Sequence, residues 1–419
     1  MLERLRSTYK EYPRAFWILV GSSFIDRLGS TLIFPFFALY ITQKFSVGMT
    51  QAGILLAIFS VSGLAGSMAG GALADRFGRR GIVLFGLTIS ALSSVAMGLV
   101  DQLGLFYILA IFVGLLSDVG GPARQAMIAD LLPSEQRTEG FGILRVVGNL
   151  AWIFGPTIGG FLAARSYLLL FILDAISSMI TAAIVYRMIP ETLPDSASDE
   201  EAGDLLSTLR GYGQVARDSL FLQFVLASML MTLVYIQMYS TLSVYLRDVH
   251  GLPTQGFGAL LSMNAGLVVI AQFWITRRVS RRPPLLMLAL GSGFYLVGFL
   301  AYGFVSGFVL FAIAMLFITV GEMVVMPVSQ ALAARFAPED KRARYLAFFG
   351  LSWAIPSMIG PWLAGVVMDT LDPRWVWYAS GILLGIAILA FLQLHRGASA
   401  RIDSFDSTRS KGRITSEAR

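Results

Sequence analysis

Three acidic residues lie deep inside long apolar segments of this chain: Asp26, Asp118 and Glu322. Asp26 is about 11 residues into its segment, which is about 16 Å of helical rise, and Asp118 and Glu322 lie at a similar depth in theirs. An ionised side chain in the middle of a bilayer costs about 2.5–3.5 kcal/mol on insertion scales, so acids kept there are expected to be functional. Carboxyl groups in that setting are suited to binding and releasing protons. We take the three as candidate proton-coupling residues, with Glu322 as the first choice.

The sequence contains few residues suited to catalysis, metal binding or nucleotide binding. The chain has no cysteine, which excludes disulfides, thiol nucleophiles and thiolate metal sites. Its two histidines, His250 and His395, fall at the ends of predicted helices rather than together. No Walker motif or glycine-rich nucleotide loop is present, which argues against ATP-driven work. We therefore expect no enzymatic activity, no catalytic residue, no cofactor and no bound metal.

The composition describes the elements that must position these acids. Of the 419 residues, 56% are hydrophobic and only 14% are charged, and the mean hydropathy is +0.71. Soluble domains carry roughly 25% charged residues. The apolar residues fall in runs of about 20, enough for a helix to cross a bilayer. This excludes a soluble enzyme, a nucleic-acid-binding module and a disordered protein, and predicts an all-α membrane protein.

The hydropathy pattern predicts twelve membrane-spanning helices, numbered 1 to 12 in chain order. Their predicted ranges are 15–42, 50–74, 80–100, 104–131, 140–164, 166–189, 218–247, 255–277, 283–303, 307–335, 345–369 and 373–394. The first run follows several basic residues as a signal peptide would, but it is too long and lacks a cleavage site. It is therefore retained as helix 1.

Basic residues are distributed unequally between the predicted loops. With a cytoplasmic N-terminus, most of the 32 Lys and Arg residues fall on the cytoplasmic side. Only Lys44, Arg165, Arg247 and Arg374 fall in loops on the other side. The positive-inside rule then places both termini in the cytoplasm. Basic loops against an anionic leaflet also explain the pI of about 9.6 without nucleic acid as a partner.

The sequence repeats itself at an offset of 205 residues, so that segment 121–160 aligns with 326–365. The identical pairs are Pro122/Pro327, Gln125/Gln330, Ala126/Ala331, Ala129/Ala334, Pro133/Pro338, Arg137/Arg342, Gly155/Gly360, Pro156/Pro361 and Gly160/Gly365. Two parallel six-helix halves of this kind are a transporter architecture with a substrate site near mid-membrane. The predicted domains are a six-helix bundle at 1–189, a polar cytoplasmic linker at 190–217, a second bundle at 218–395 and a disordered tail at 396–419.

Three motifs carry a family resemblance over essentially the whole chain. The loop between helices 2 and 3 reads GALADRFGRR at 71–80, and a reverse turn there requires glycine. This segment resembles the GxLaDrxGrr signature of the major facilitator superfamily. Gly155-Pro156-Thr157-Ile158-Gly159-Gly160 in helix 5 resembles the GPxxGG motif of its twelve-span drug:proton antiporters. Leu28-Gly29 followed by Pro35 resembles their LGx5P element.

The resemblance implies two bundles around a cavity lined by helices 1, 4, 7 and 10, working by alternating access. It also implies a cytoplasmic latch at the 2–3 loop and a hinge in helix 5. The latch residues are Gly71, Asp75, Arg76, Gly78, Arg79, Arg80, Asp130 and Arg137. The hinge residues are Gly155, Pro156, Gly159 and Gly160. The glycines of the hinge also fit close helix packing alone.

The sequence departs from the family pattern in three places. Leu116 and Ser117 stand where helix 4 often has an arginine, so the family's usual proton relay is not carried over. Phe37 replaces the second proline of the helix 1 element. The second-half copy of the loop signature is reduced to Arg277-Arg278 and Arg281-Arg282.

Each charged residue within the spans also has a purely structural interpretation. Asp26 could form a static ion pair with Arg27 or Arg145, and Asp118 could be structural. Asp174 in helix 6 is expected to be structural, because the fold places helix 6 at the periphery. Arg124 and Arg145, together with Asp130 and Arg137, are expected to join the latch network at the cytoplasmic helix ends.

Methionine and aromatic side chains on helices 7, 8, 10 and 11 form the predicted substrate cavity. They are Tyr235, Gln237, Met238, Tyr239, Met263, Asn264, Met323, Met326 and Trp353. Such walls adapt to irregular apolar ligands, and an acid among them favours cations. The prediction is a monomeric, proton-coupled exporter of lipophilic, often cationic small molecules in a bacterial inner membrane. The alternatives are an exporter of a sugar or other metabolite, and a membrane sensor or scaffold that does not transport.

Overall fold

The computed structural model describes residues 11–193, 213–338 and 341–417, and within these ranges twelve helices are long and apolar enough to span a membrane. Their bounds are Arg14–Lys44, Met49–Phe77, Arg79–Leu99, Leu103–Leu131, Ser134–Ala163, Tyr167–Met188, Ser219–Ser240, Thr254–Val279, Pro284–Ala301, Phe308–Phe336, Arg342–Thr370 and Trp375–Gly397. The prediction of an all-helical protein with twelve spans is confirmed, with most ends within a few residues of the expected positions.

Backbone contacts group the chain into two compact units. The first unit comprises residues 1–202, 239–266 and 361–366, and the second comprises 203–238, 267–360 and 367–419. The first unit therefore includes short pieces of helices 7, 8 and 11 besides helices 1 to 6. Residues 194–212 of the predicted linker lie outside the described residues, and the proposed division into bundles stays a prediction.

Helices 1 to 6 of the first unit pack through small residues and an aromatic core. Helix 1 packs against helices 5 and 6, helix 3 against helix 6, and helix 2 against helix 4. Phe16, Leu87 and Met127 belong to one buried cluster between them. Tyr40 lies buried among aromatic rings and donates a hydrogen bond to the carbonyl oxygen of Met97 at 2.7 Å.

Helices 9, 10 and 12 form the centre of the second unit, and helix 7 packs on helix 12. An added Cβ at Gly298 would lie 2.5 Å from Ile318, and one at Gly321 would lie 2.7 Å from Tyr295. Glycine at these positions lets the two helices approach closely, as is usual between helices in membranes. Phe224 stacks between Phe336 and Phe349 in the same unit.

Helix 4 is interrupted where a single span was expected. It ends at Ser117 and resumes at Gly120, leaving Asp118 and Val119 outside both helical pieces. Pro122 has no N–H to donate to the carbonyl oxygen of Asp118, and its ring crowds that oxygen. The N–H of Gly121 donates to the same carbonyl instead, at 3.2 Å. The break therefore follows from the Gly120-Gly121-Pro122 sequence.

Two other departures occur near helix ends. Helix 1 contains a short 3-10 turn at Phe34–Phe36, centred on Pro35. The last helix runs from Trp375 to Glu417, whereas the tail from residue 396 was expected to be disordered. No proline follows Pro373, and extending an existing helix costs far less than starting one. This explains the continuous helical backbone.

Candidate functional site

A cavity of about 680 Å³ opens between helices 1, 3, 4 and 5 of the first unit. This volume is within the range of roughly 300–1,000 Å³ found for small-molecule sites. Five charged residues line it: Asp26, Arg27, Asp118, Arg124 and Arg145. The wall also carries several serines and Trp152. We call this space the polar cavity.

Asp26 is held by two partners from other helices. Nη1 of Arg124 lies 2.7 Å from one carboxylate oxygen, and the hydroxyl of Ser178 donates to the other at 3.3 Å. The structural alternative for Asp26, a static ion pair, is therefore present, but its partner is Arg124 rather than Arg27 or Arg145. Arg27 points about 100° away around helix 1. Arg124 reaches Asp26 from the half of helix 4 that begins after the break.

Asp118 occupies the break in helix 4 and lines the polar cavity. Within the described part of the chain, its carboxylate makes no hydrogen bond and no ion pair within 4 Å. The cations whose charges act on it are Arg124 and Arg27. Arg124 is already paired with Asp26. Asp118 is thus a carboxyl open to the cavity and, among the described residues, without a bound partner.

Arg27 and Arg145 are exposed to the polar cavity from helices 1 and 5. Neither forms a hydrogen bond or ion pair with any residue that the structure describes. The hydroxyl groups of Ser23 and Ser117 also line the cavity, are buried, and make no hydrogen bond among the described residues. The expected place of Arg124 and Arg145 in the latch network is wrong, because both line the cavity.

Asp174 of helix 6 is buried and lies outside the lining of the polar cavity. Its carboxylate accepts a hydrogen bond from the hydroxyl of Ser94 on helix 3. Gly29 of helix 1 leaves room for Asp174 and Ser177, since an added Cβ would collide with the Ser177 hydroxyl. Asp174 therefore joins three helices, as a structural residue would.

The 2–3 loop consists of one residue, Gly78, between Phe77 and Arg79. Its φ of +92° lies in the region that favours glycine, which confirms the predicted glycine turn. Arg79 pairs closely with Asp130 of helix 4, and its Nη2 is 4.0 Å from Asp75. These contacts tie the ends of helices 2, 3 and 4 together.

Glu191, just after helix 6, completes this corner. Its carboxylate accepts hydrogen bonds from the backbone N–H groups of Arg79, at 2.9 Å, and Arg80, at 3.1 Å. Partial burial raises the pKa of Glu191, but these bonds and those from Thr192 and Leu193 lower it further, so the pKa lies below the usual value of 4.5. Residue 191 falls within the predicted linker, where a polar composition does not indicate a contact with helix 3.

The other latch residues have separate environments. Arg80 donates to the carbonyl oxygen of Tyr186 and lies over its ring. Arg137 donates to the carbonyl oxygen of Leu132 at 3.2 Å. Arg76 lies over the ring of Phe77, and Gly71 faces Pro122. The latch role of the whole set stays a prediction.

The Gly-Pro segment lies within a continuous helix 5 and faces helices 1 and 8. An added Cβ at Gly155 would collide with Thr31, and one at Gly159 would lie 2.6 Å from the carbonyl oxygen of Leu32. The carbonyl of Pro156 contacts Gly258. At Gly160 an added Cβ would lie 3.0 Å from the carbonyl oxygen of Thr254. The segment is thus closely packed, and its role as a hinge stays a prediction.

The predicted methionine and aromatic wall divides into buried and partly exposed residues. Tyr235, Gln237, Met238, Asn264 and Met323 are buried. The partly exposed residues are Tyr239, Met263, Met326 and Trp353. The ring of Tyr239 lies 5.2 Å from that of Trp152, on the wall of the polar cavity, and Trp353 contacts Tyr235 in the second unit.

Glu322 is half-buried on helix 10 in the second unit. Its neighbour Gly321 packs against Tyr295, and the carbonyl oxygen of Met323 accepts a hydrogen bond from Gln272 at 3.0 Å. The surrounding backbone is therefore fixed by packing. Its proton-coupling role stays a prediction.

Known proteins share this fold and sequence pattern. A Na(+), Li(+), K(+)/H(+) antiporter of Planococcus maritimus is 26% identical over 84% of this chain and 89% of its own. The multidrug resistance protein MdtH of Shigella flexneri is 26% identical over 90% of this chain and 92% of its own. The crystal structure of the nucleoside transporter NupG matches with a TM-score of 0.76 at 14% identity, covering 91% of this chain and 99% of that one.

The family model named Major Facilitator Superfamily matches residues 19–327 and 287–414. These matches include helix 1, the 2–3 loop, both pieces of helix 4 and the Gly-Pro segment of helix 5. The resemblance found in the motifs is therefore confirmed. This chain belongs to the Major Facilitator Superfamily and is a multi-pass membrane transporter.

Proposed function

We propose that this protein is a proton-coupled antiporter that exports small organic compounds by alternating access. The observation that carries the proposal is Asp118, an acid at the break of helix 4 that lines the polar cavity without an ion pair among the described residues. A broken helix near mid-membrane is a common setting for substrate and ion sites in transporters. An intramembrane acid there is a functional group by default.

Antiport requires that a proton and the substrate compete for one site. Asp118 can bind a proton when the cavity is exposed to an acidic solution, and the neutral carboxyl then offers no charge to a cationic group. When the proton leaves, the carboxylate attracts that group. The lipophilic, often cationic cargo expected from the sequence fits this competition, and a relative named for multidrug resistance supports it.

Asp26 has a different place in this scheme. Its ion pair with Arg124 at 2.7 Å and its hydrogen bond from Ser178 engage both of its carboxylate oxygens. We infer that Asp26 orients Arg124 beside Asp118 and is a positioning residue. We also place the protein in a bacterial inner membrane as a monomer, with both termini in the cytoplasm and without enzymatic activity.

The test is transport in reconstituted vesicles under an imposed proton gradient, with a fluorescent cationic dye as cargo. Asp118→Asn, Asp26→Asn and Glu322→Gln are compared with the wild-type protein. Asp118→Asn should abolish gradient-driven transport and flatten the pH dependence of dye binding. Asp26→Asn should lower transport but keep the pH dependence. The same losses in Glu322→Gln, with an unaffected Asp118→Asn, would transfer the coupling role to Glu322.

A second candidate is alkali-cation/proton exchange. It is favoured by the relative named as a Na(+), Li(+), K(+)/H(+) antiporter. Carboxylates also suit hard cations, which bind oxygen ligands. Proton efflux from dye-free vesicles upon addition of Na⁺ or K⁺ distinguishes the two. Exchange without dye would favour the second candidate, and its absence would favour the first.

A further inference from the structure

The polar cavity contains more positive than negative charge. Asp26 and Arg124 neutralise each other through their ion pair. Asp118, Arg27 and Arg145 remain. The charge of Arg27 acts on Asp118, but neither arginine makes a hydrogen bond or an ion pair among the described residues. Charged groups inside a membrane protein are costly and usually pair with one another or mark the path of a substrate. We therefore expect the cargo to carry an anionic group that pairs with the two arginines.

Hydrogen-bond donors line the same cavity as these arginines. The buried hydroxyls of Ser23 and Ser117 line the same cavity and make no hydrogen bond among the described residues. The second half of helix 4 begins at Gly120, and Gly121 lines the cavity as well. The N-terminal end of a helix adds partial positive charge. These features add to the attraction for an oxyanion.

We propose that the cargo is a zwitterionic organic compound. Its anionic group, a carboxylate or a similar oxyanion, binds Arg27 and Arg145, and its cationic group binds Asp118. Arginine suits the anionic end because its planar fork can donate two hydrogen bonds to a carboxylate. The assignment rests on the proposed function for the transport itself and adds the chemical class of the substrate.

The apolar part of the cavity wall accommodates the remainder of such a compound. Phe141, Leu144 and Trp152 lie on the same helix as Arg145. A volume of about 680 Å³ accepts a ring system of ordinary drug size. A compound with only a positive charge would gain from Asp118 but would be repelled by both arginines. Of two compounds that differ only in the anionic group, we therefore expect the protein to bind the one that carries this group more tightly.

The first experiment measures the charge of the cavity directly. The chain lacks cysteine, so Ser30→Cys places a single thiol on the cavity wall. Its rate of modification is compared for a thiol reagent bearing a sulfonate and a counterpart bearing a trimethylammonium group. The sulfonate reagent should react faster by about tenfold, the size expected for a nearby unit charge at intermediate dielectric constant.

Variants in the same background identify the source of the charge. Arg27→Gln combined with Arg145→Gln should remove the preference, whereas Arg27→Lys combined with Arg145→Lys should keep it. Arg165→Gln, an exposed arginine outside the cavity lining, is the matched control and should change nothing. Equal rates for the two reagents, or a preference that survives the double Gln substitution, would overturn the proposal.

The second experiment tests the ligand class with a matched pair of dyes. A rhodamine with a free carboxylate is a zwitterion, and its methyl ester is a cation of nearly the same shape. Binding to the purified protein, followed by fluorescence polarisation without any gradient, should be about tenfold tighter for the free acid, in line with one added charge pair. The double Gln variant should lose this preference or reverse it, because Asp118 then remains as the unbalanced charge. Tighter binding of the ester by the wild-type protein, or no binding of the acid, would contradict the proposal.

Binding without a gradient separates this inference from the proposed function. Binding of the acid form through the arginines, together with gradient-driven transport that does not depend on Asp118, would support the proposed substrate class and contradict proton coupling by Asp118. If transport depends on Asp118 but the ester binds better, the coupling stands and the substrate class fails.

Discussion

Two contacts at one end of the first unit are copies of each other, whereas the acids at the 2–3 loop are not repeated 205 residues later in the chain. Gly53 of helix 2 meets the backbone of Pro361 in helix 11, and Gly258 of helix 8 meets the backbone of Pro156 in helix 5. Gly258 and Pro361 lie 205 positions after Gly53 and Pro156. The repeat in the sequence therefore appears as a repeated helix crossing.

A second pair of glycines extends the same two crossings. An added Cβ at Gly365 would lie 2.6 Å from the carbonyl of Met49, and one at Gly160 would lie 3.0 Å from the carbonyl oxygen of Thr254. These positions are again 205 apart. Each crossing thus joins the first turns of helix 2 or 8 to the end of helix 11 or 5 by close backbone approach. By the predicted topology, both crossings lie on the outer side of the membrane.

The 2–3 loop shows the opposite behaviour. Its acids Asp75, Asp130 and Glu191 all contact Arg79 or its backbone. The positions 205 residues later carry Ser280, Arg335 and Arg396. The three acids of the 2–3 loop are therefore not repeated at the positions 205 residues later. The close glycine contacts are thus present in both copies of the repeat, whereas the three acids of the loop occur in the first copy and not at the equivalent positions of the second.

This difference indicates two ways of holding helix ends together. Glycine contacts depend on shape, so any added side chain separates the helices in either copy. The ion pairs depend on charge, so they can be weakened singly, by substitution or by pH. We expect the glycine crossings to decide whether transport occurs, and the loop acids to tune stability and turnover.

The largest effect is expected from Gly53→Ala and Gly258→Ala. A Cβ added at Gly53 would lie 2.5 Å from the carbonyl oxygen of Pro361, closer than real Cβ contacts, so the backbones must move apart. Overpacking of this kind costs about 1–3 kcal/mol, enough to lower transport by roughly tenfold or more. Transport in vesicles and melting temperature in detergent measure the two consequences.

Gly266→Ala on helix 8 is the matched control, because an added Cβ there meets nothing within 4 Å. It should transport like the wild-type protein. The two test variants should lose transport to a similar degree. A large loss in one and none in the other would show that the two crossings are not equivalent, despite their shared offset.

A smaller effect is expected at the loop, and it should differ between two acids. The Arg79 side chain is 13% exposed and pairs closely with Asp130, whereas Asp75 is 64% exposed and 4.0 Å away. Asp130→Asn leaves a mostly buried guanidinium without its charge partner, which costs about 1–3 kcal/mol. Asp75→Asn removes an exposed pair that contributes about 0–1 kcal/mol.

Melting temperatures and transport rates of both variants show which substitution lowers the stability more. Asp130→Asn should melt at a clearly lower temperature, and Asp75→Asn should melt near the wild type while turning over more slowly. Equal melting temperatures for the two variants would show that the short contact to Asp130 adds nothing beyond the long contact to Asp75.

The membrane spans and the glycine turn can be predicted from the sequence. The ion-pair partners of the charged residues within the spans cannot. Span lengths follow from bilayer thickness, and Gly78 follows from a turn that needs positive φ. The pairing of Asp26 with Arg124 joins residues 98 positions apart. Arg124 lies just after the break in helix 4. The sequence feature that indicates this break is Pro122 after two glycines.

The predicted cavity wall shows the limit of composition as a guide. Met238 is fully buried, and Tyr235 and Met323 are nearly so, although their types suit a ligand site. Helices that are apolar on every side give no periodic signal for which face is covered. The sequence suggests Arg27 or Arg145 as possible partners of Asp26, because sequence distance alone does not show that Arg124 takes that place.

The smallest effect is expected from Glu191, an acid whose equivalent position 205 residues later carries Arg396. Its carboxylate accepts the N–H groups at the start of helix 3, and loss of a helix cap costs about 0.5–2 kcal/mol. The pKa of Glu191 lies below its usual value of 4.5 in the folded protein. Its stabilising contribution is therefore complete above that value and is lost as the pH falls through the lower, folded pKa.

The measurement compares the melting temperatures of the wild-type protein, Glu191→Gln and Glu191→Ala across acidic and neutral pH. At neutral pH both variants should melt slightly below the wild type, and Ala lower than Gln, because the amide oxygen of glutamine still accepts one hydrogen bond. In acid the wild-type carboxylate becomes protonated, so the three curves should approach each other. A gap that stays constant as the pH falls would mean that Glu191 acts by packing against Gly78 rather than by its charge.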